Sequence, residues 1–156
     1  MRILKNFSFV ILFISVLIIE LLLGIVSELL ALQILPFLIL IFYISTKRFS
    51  NSFIFAFFFS GIYYDLFYTS NYFGTTSIKY IFIAIVINFI YNRVNESLFS
   101  EYLIFLLTVA IYKFEILLNT FNISDFTNIF LISAINYFLF KIISVTLKWD
   151  VFKKSI

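Results

Sequence analysis

The chain has 156 residues, 63% of them hydrophobic and 12% charged, with a formal net charge of +3 and a mean hydropathy of +1.13. Soluble domains carry about a quarter charged residues, so this composition argues against a water-soluble globule. One Pro and three Gly argue equally against a disordered or loop-rich chain. The absence of Cys and His removes disulfides, thiol nucleophiles, imidazole or thiolate metal and haem sites, and any Ser–His–Asp triad.

The apolar runs are continuous, whereas membrane-barrel strands alternate over segments of about ten residues. The expectation is an all-α integral membrane protein forming one domain over residues 1–156. A membrane-spanning helix needs about 20 apolar residues, and six segments qualify. The first, 7–24, is interrupted only by Glu20, and the second, 29–45, contains Pro36. The third, 53–68, follows Lys47 and Arg48; the fourth, 76–91, ends before Asn92 and Arg93. The fifth, 102–118, holds Lys113 and Glu115, and the sixth, 127–147, holds Lys141 near its end. Several are short, so their ends are expected to extend into the interfaces.

Loop charge sets the orientation. Lys and Arg collect on the cytoplasmic side. Here Arg2 and Lys5 precede the first span, Lys47 and Arg48 join the second to the third, and Arg93 joins the fourth to the fifth. Lys148, Lys153 and Lys154 follow the sixth, while the other three connections, around Glu28, Ser70–Asn71 and Asn122–Asp125, hold no Lys or Arg. This alternation implies six spans with both termini cytoplasmic. The basic start and first apolar stretch resemble a signal sequence, but no small-residue cleavage pattern follows, and the segment reads as an uncleaved first helix.

Ionisable groups inside a bilayer cost a few kcal/mol each on insertion scales and normally face protein or water. Lys141 and Lys79 lie near helix ends, where their stems can carry the ammonium to the interface. Glu20, Asp65 and Lys113 are different. Each lies about 12 or 13 residues along an outward-running helix, roughly 18–20 Å from the inner surface. Two readings stay open: a buried Glu20/Asp65/Lys113 cluster in which Asp65 accepts from Lys113, or three groups that each meet outer water. Gly61 and Asp65, four apart, share a helix face, and Gly61 allows a neighbouring helix to approach closely.

The stretch Phe59-Ser-Gly-Ile-Tyr-Tyr-Asp-Leu-Phe-Tyr-Thr-Ser-Asn-Tyr-Phe-Gly74 resembles the signature segment of the MreD family of rod shape-determining membrane proteins. That family shows a Gly, an Asp-Leu pair four residues later, and a short turn ending in a small residue or Leu-Gly. Gly61, Asp65, Leu66 and Gly74 fall on those positions, and Pro36 matches the proline that opens the family's second helix. The chain departs from the pattern at Phe37, where a polar or acidic residue is common, and at Thr69-Ser70-Asn71-Tyr72, where the family's turn carries Gly and Pro.

The resemblance implies a bundle like the substrate-binding S components of energy-coupling-factor transporters. It also implies a non-catalytic role in the bacterial inner membrane, within the cell-elongation machinery that builds peptidoglycan. The partners it implies are an MreC-like bitopic protein, the MreB filament, the RodA–transpeptidase synthase and membrane lipids. No cofactor, metal or nucleic acid is expected. The candidate structural or partner-binding residues are Pro36, Gly61, Asp65, Gly74, Glu20 and Lys113.

The alternative from another class is the S subunit of a vitamin transporter itself. Those subunits dock their partner through small residues in the first helix, and Phe7 to Glu20 contains no alanine. An intramembrane enzyme finds little support. Asp65, Asp125 and Asp150 fall on three separate segments, and an aspartyl dyad needs two carboxylates in one site.

Overall fold

The computed structural model describes residues 11–20, 22–24, 33–47, 49–68, 72–95, 97–114 and 122–146. Among the described residues all regular secondary structure is α-helical, in keeping with the all-α expectation. The helices are α1 (Ile11–Gly24), α2 (Pro36–Lys47), α3 (Asn51–Tyr68), α4 (Thr75–Tyr91), α5 (Leu98–Tyr112) and α6 (Ile123–Thr146). One stretch, Ile123–Val145 in α6, is long and apolar enough to cross a membrane. Both chain termini, with Arg2, Lys5, Lys148, Lys153 and Lys154, lie outside the described residues.

The second helix departs most from its expected span of 29–45. It begins only at Pro36, and Gln33–Leu35 are non-helical; residues 25–32 lie outside the described set. Proline disfavours a helical conformation at the residue before it, and suits a first helical position because it has no N–H to leave unpaired. The resulting helix has 12 residues, about 18 Å at 1.5 Å per residue, short of a hydrocarbon core of about 30 Å. Yet α2 is the most enclosed helix, with Phe37 to Phe42, Ile44 and Ser45 all buried.

The fifth helix also shifts from its expected 102–118. It starts at Leu98 because Ser97 and Ser100 form a reciprocal capping box, satisfying donors that the first turn leaves open. It stops at Tyr112, with Lys113 as its C-cap rather than an interior residue; Glu115 lies outside the described residues. A cation at this end complements the negative pole of the helix.

Side-chain contacts fix the helix directions. Phe37 meets Tyr80 and Lys47 meets Tyr91, so α2 and α4 run the same way. Leu35 meets Asn136 and Phe42 meets Phe140, so α6 joins them. Helix α3 opposes α4, since Asp65 reaches Gly74 and Ser77 reaches Phe58. Helix α5 starts just after α4 ends and brings Tyr112 back onto Tyr80, so it opposes α4 and with it α6. Two aromatic clusters flank α2. Phe13, Phe37 and Phe57 meet at 5.6–6.4 Å between ring centroids, and Phe42 sits 4.9 Å from Phe105 and 5.2 Å from Phe140. Four of these five pairs are edge-on, an arrangement that adds about 0.5–1.5 kcal/mol per pair beyond area burial.

Beside the apolar core, several polar groups are buried while many large apolar side chains are exposed. Glu20, Ser60, Asp65, Ser77, Thr108, Ser133 and Asn136 are buried. Ile14, Ile18, Phe55, Phe59, Phe82, Phe89, Phe130 and Phe138 are exposed.

Candidate functional site

At the start of α4 the backbone needs help. The first turn of any helix leaves its N–H groups without intrahelical partners, and the N-cap here is Gly74, which offers no side chain. Asp65 from α3 supplies the acceptor. Its Oδ2 takes the Gly74 N–H at 2.7 Å, and both carboxylate oxygens take the Thr76 N–H at 3.3 Å. The carboxylate is buried against the positive pole of the helix, a placement that favours the charge. Gly74 has φ +94°, a left-handed conformation that glycine adopts without steric cost.

Gly61 makes that approach possible. It lies one turn before Asp65, where a Cβ would stand 2.3 Å from the Ser77 Cα and 2.4 Å from the Ser77 N. The two backbones therefore touch, and the Ser77 hydroxyl seals the contact by donating to the Phe58 carbonyl at 2.9 Å. Gly61, Asp65 and Gly74 thus form one junction between α3 and α4.

At the start of α2 the same problem recurs on either side of Pro36. Glu20 Oε2 from α1 accepts the Phe37 N–H at 2.8 Å. Asn136 Oδ1 from α6 accepts the Leu35 N–H at 2.7 Å. The Asn136 amide then donates to the carbonyls of Gln33 at 2.9 Å and Ile132 at 2.8 Å. Non-helical backbone away from water is sustained only where such groups are paired, and Gln33–Leu35 are paired from α6.

Tyr80 ties the two junctions together. It is buried, with its ring 4.9 Å from Phe37, 6.4 Å from Tyr64 and 6.2 Å from a stacked Tyr112. Phe37 carries the N–H that Glu20 holds, and Tyr64 immediately precedes Asp65.

The expected shared cluster of Glu20, Asp65 and Lys113 is not what forms. Glu20 belongs to the α2 junction with Pro36, while Asp65 belongs to the α4 junction with Gly61 and Gly74. Lys113 does not pair with Asp65. Its ammonium lies 5.9 Å from the Tyr112 ring centroid. The physical reason is competition: preorganised backbone N–H groups sit within reach of each carboxylate, and α5 ends at Tyr112, turning Lys113 into a cap. Lys141 does not simply extend to water either, because it pairs with Glu101.

Three participants were not singled out from the sequence. An Asn in the middle of an apolar span is a signal for a buried polar contact, and Asn136 carried that signal. Tyr80 carried none, one tyrosine among ten. The Glu101–Lys141 pair was hidden because Glu101 fell outside the expected fifth span.

Both carboxylates accept from backbone N–H groups, and among the described residues no three of His, Cys, Asp and Glu gather where they could hold a metal ion. Comparison of the chain with protein-family models, with curated proteins and with solved structures finds no match.

Proposed function

We propose that this chain is a multi-pass protein of the bacterial inner membrane, and a non-catalytic scaffold of the cell-elongation machinery of the MreD kind. The membrane part of the reading is supported by the shell of exposed Phe, Ile and Leu around a bundle that buries Glu20, Asp65 and Asn136. In water, apolar patches beyond a few hundred Å² are rare on monomers. In a bilayer the same shell is the expected one. The helices spanning six times, both termini cytoplasmic, and a bundle like the S components complete the reading.

The observation that carries the family part is the Gly61–Asp65–Gly74 junction. The resemblance rests on Gly61, Asp65, Leu66 and Gly74 together with Pro36, and three of these act as one device, which gives their spacing a physical reason: a close-approach glycine, a carboxylate one turn on, and a left-handed cap. The α4 start is thereby held by Asp65 at one end of the bundle, where a docking element for an assembled complex would sit. An MreC-like single helix would pack on the exposed helix faces, with the MreB filament and the RodA–transpeptidase synthase as further members of the assembly.

Depletion in the native cell tests this. Rods or curved cells should round up and lose localised wall synthesis, and crosslinking from native membranes should recover the bitopic partner. Normal shape together with impaired vitamin uptake would reject the scaffold and favour the S-subunit alternative.

A further inference from the structure

Helix α3 presents small residues on two of its faces. Gly61 faces α4, where an added Cβ would meet the Ser77 backbone. Ala56 and Ser60, also four apart, line a groove of about 460 Å³ between α3 and α1. Ile14 and Ile18 of α1 stand along one rim of that groove and Phe59 of α3 along the other, and all three are exposed. Ser60 is buried and Ala56 half-buried, so the two small residues form the floor.

Ser60 carries an observation that the small residues alone do not. It is only 6% exposed and lines the groove, yet among the described residues its hydroxyl makes no hydrogen bond. Other hydroxyls within these helices turn back onto their own backbone, the usual way such a group is satisfied. Thr108 donates to the Ile104 carbonyl at 2.8 Å, and Ser133 and Ser144 donate to the Phe130 and Lys141 carbonyls at 2.9 Å. Ser60 instead lies midway along Asn51–Tyr68, the part of a spanning helix furthest from water. A hydroxyl there depends on protein for its partner.

Shape and chemistry then choose among occupants. A lipid chain fills the volume but offers the hydroxyl nothing. A second copy set on this face across a two-fold axis presents the same surface, concave against concave. A transmembrane helix is a convex rod about 10 Å across. A floor of small residues lets such a helix come close, and Ser, Thr, Asn or Gln on it can share a hydrogen bond across the contact.

We infer that the α1–α3 groove is the docking site for one transmembrane helix of a partner protein. That helix lays a small residue over Ala56 and a hydroxyl- or amide-bearing side chain against Ser60. The inference rests on the scaffold reading above and assigns the face that such a partner uses.

The test reconstitutes the full chain in phosphatidylcholine vesicles with either of two synthetic leucine-rich helices of about 20 residues. One carries Gly and Asn four positions apart on one face, and the other is leucine throughout. The chain has no cysteine, so Ile14→Cys and Phe59→Cys report on the groove and Phe82→Cys, exposed on α4, on another face. A cysteine in the Gly–Asn helix should form disulfides faster with the two groove positions than with the third. Ser60→Ala, which keeps the fold, should weaken association of the Gly–Asn helix about threefold, the share of one interhelical hydrogen bond in a bilayer. Ala56→Leu should abolish it by filling the floor. Equal association of the two helices, no effect of Ser60→Ala, or crosslinking through Phe82→Cys as fast as through Phe59→Cys overturns the inference. Disulfides between two copies through Ile14→Cys or Phe59→Cys, outcompeting the Gly–Asn helix, assign the groove to a second copy and overturn it too. Depletion in cells reads the scaffold role separately. Groove-specific docking with normal cell shape keeps the site and rejects the elongation role, whereas rounded cells with no preference for the Gly–Asn helix reject the site alone.

Discussion

Asp65 holds the N–H of Gly74, nine residues further on, at 2.7 Å, and Glu20 holds the N–H of Phe37 in the corresponding way at 2.8 Å. In each case a carboxylate late in one helix caps the start of the next. Helix α1 does this for α2, and α3 does it for α4. Each acid is buried, and each accepts from backbone N–H at the start of a helix. A buried ion pair needs good geometry and further hydrogen bonds to offset desolvation. The start of a helix offers two or three preorganised donors with no side-chain entropy to lose.

The first prediction separates this arrangement from a charge pair. Asp65→Ala removes the acceptor for two backbone N–H groups and should cost about 1–3 kcal/mol. Asp65→Asn keeps one acceptor oxygen and should cost less. Combined with Lys113→Met, either change should be additive within about 0.5 kcal/mol, because the residues do not touch. Thermal unfolding in detergent reads this directly, and a coupling above 1 kcal/mol would show that Lys113 does reach the carboxylate.

Asn136 gives a second test, centred on the α2 junction. Asn136→Leu keeps the volume and the apolar span but leaves the Leu35 N–H and the Gln33 carbonyl without the partners they have. The expected loss is about 1–3 kcal/mol for an orphaned buried donor. Glu20→Gln should be mild because its carbonyl oxygen still accepts from Phe37, while Glu20→Leu should resemble Asn136→Leu. If both leucine variants melt like the wild type, water rather than side chains satisfies that backbone.

Much of the architecture could be read from the sequence because apolar run length is a coarse, additive signal. Helix ends fall close to the expected ones where Gly, Asn or charge punctuates the chain, as at Tyr91 and Tyr68. The second helix was misplaced because hydropathy does not distinguish an apolar helix from an apolar turn, and Leu35 is buried without being helical. Pro36 was the available signal, and its meaning is local. The site residues were legible as types but not as partners. Shared depth suggested that Glu20, Asp65 and Lys113 meet, yet depth along three helices says nothing about azimuth. Backbone donors, which won both carboxylates, leave no mark in a sequence.

Orientation supplies the third prediction. Lys47 and Arg93 follow helices that run the same way, and Lys47 contacts Tyr91, so both belong to one side. Reporter fusions after Lys47, Arg93 and Lys154 should register cytoplasm, and those after Ser70 and Asn122 the outer side. A fusion after Lys154 that reports the outer side would break the even count of spans.

The last prediction uses the glycines, whose two roles differ in kind. At Gly61 the obstacle is space. An added Cβ meets Ser77 backbone atoms at 2.3 and 2.4 Å, so the helices must part before even alanine fits. Overfilling a packed contact costs about 1–3 kcal/mol, and separating α3 from α4 would also lengthen the Asp65 bonds to Gly74 and Thr76, so Gly61→Ala should sit at the top of that range. Ser77→Gly cannot rescue it, because the clash is with main chain. At Gly74 the obstacle is conformation. Nothing lies within 4 Å of an added Cβ, but φ is +94°, which costs an L-residue about 1–2 kcal/mol. Gly74→Asn should then be milder than Gly74→Ala, since asparagine tolerates the left-handed region better. Thermal melts of the three variants and the Gly61→Ala/Ser77→Gly double give the order: Gly61→Ala least stable and unrescued, Gly74→Ala intermediate, Gly74→Asn nearest wild type. Rescue by Ser77→Gly would mean that the helices touch through side chains, and that Asp65 reaches the α4 start without the close approach Gly61 provides.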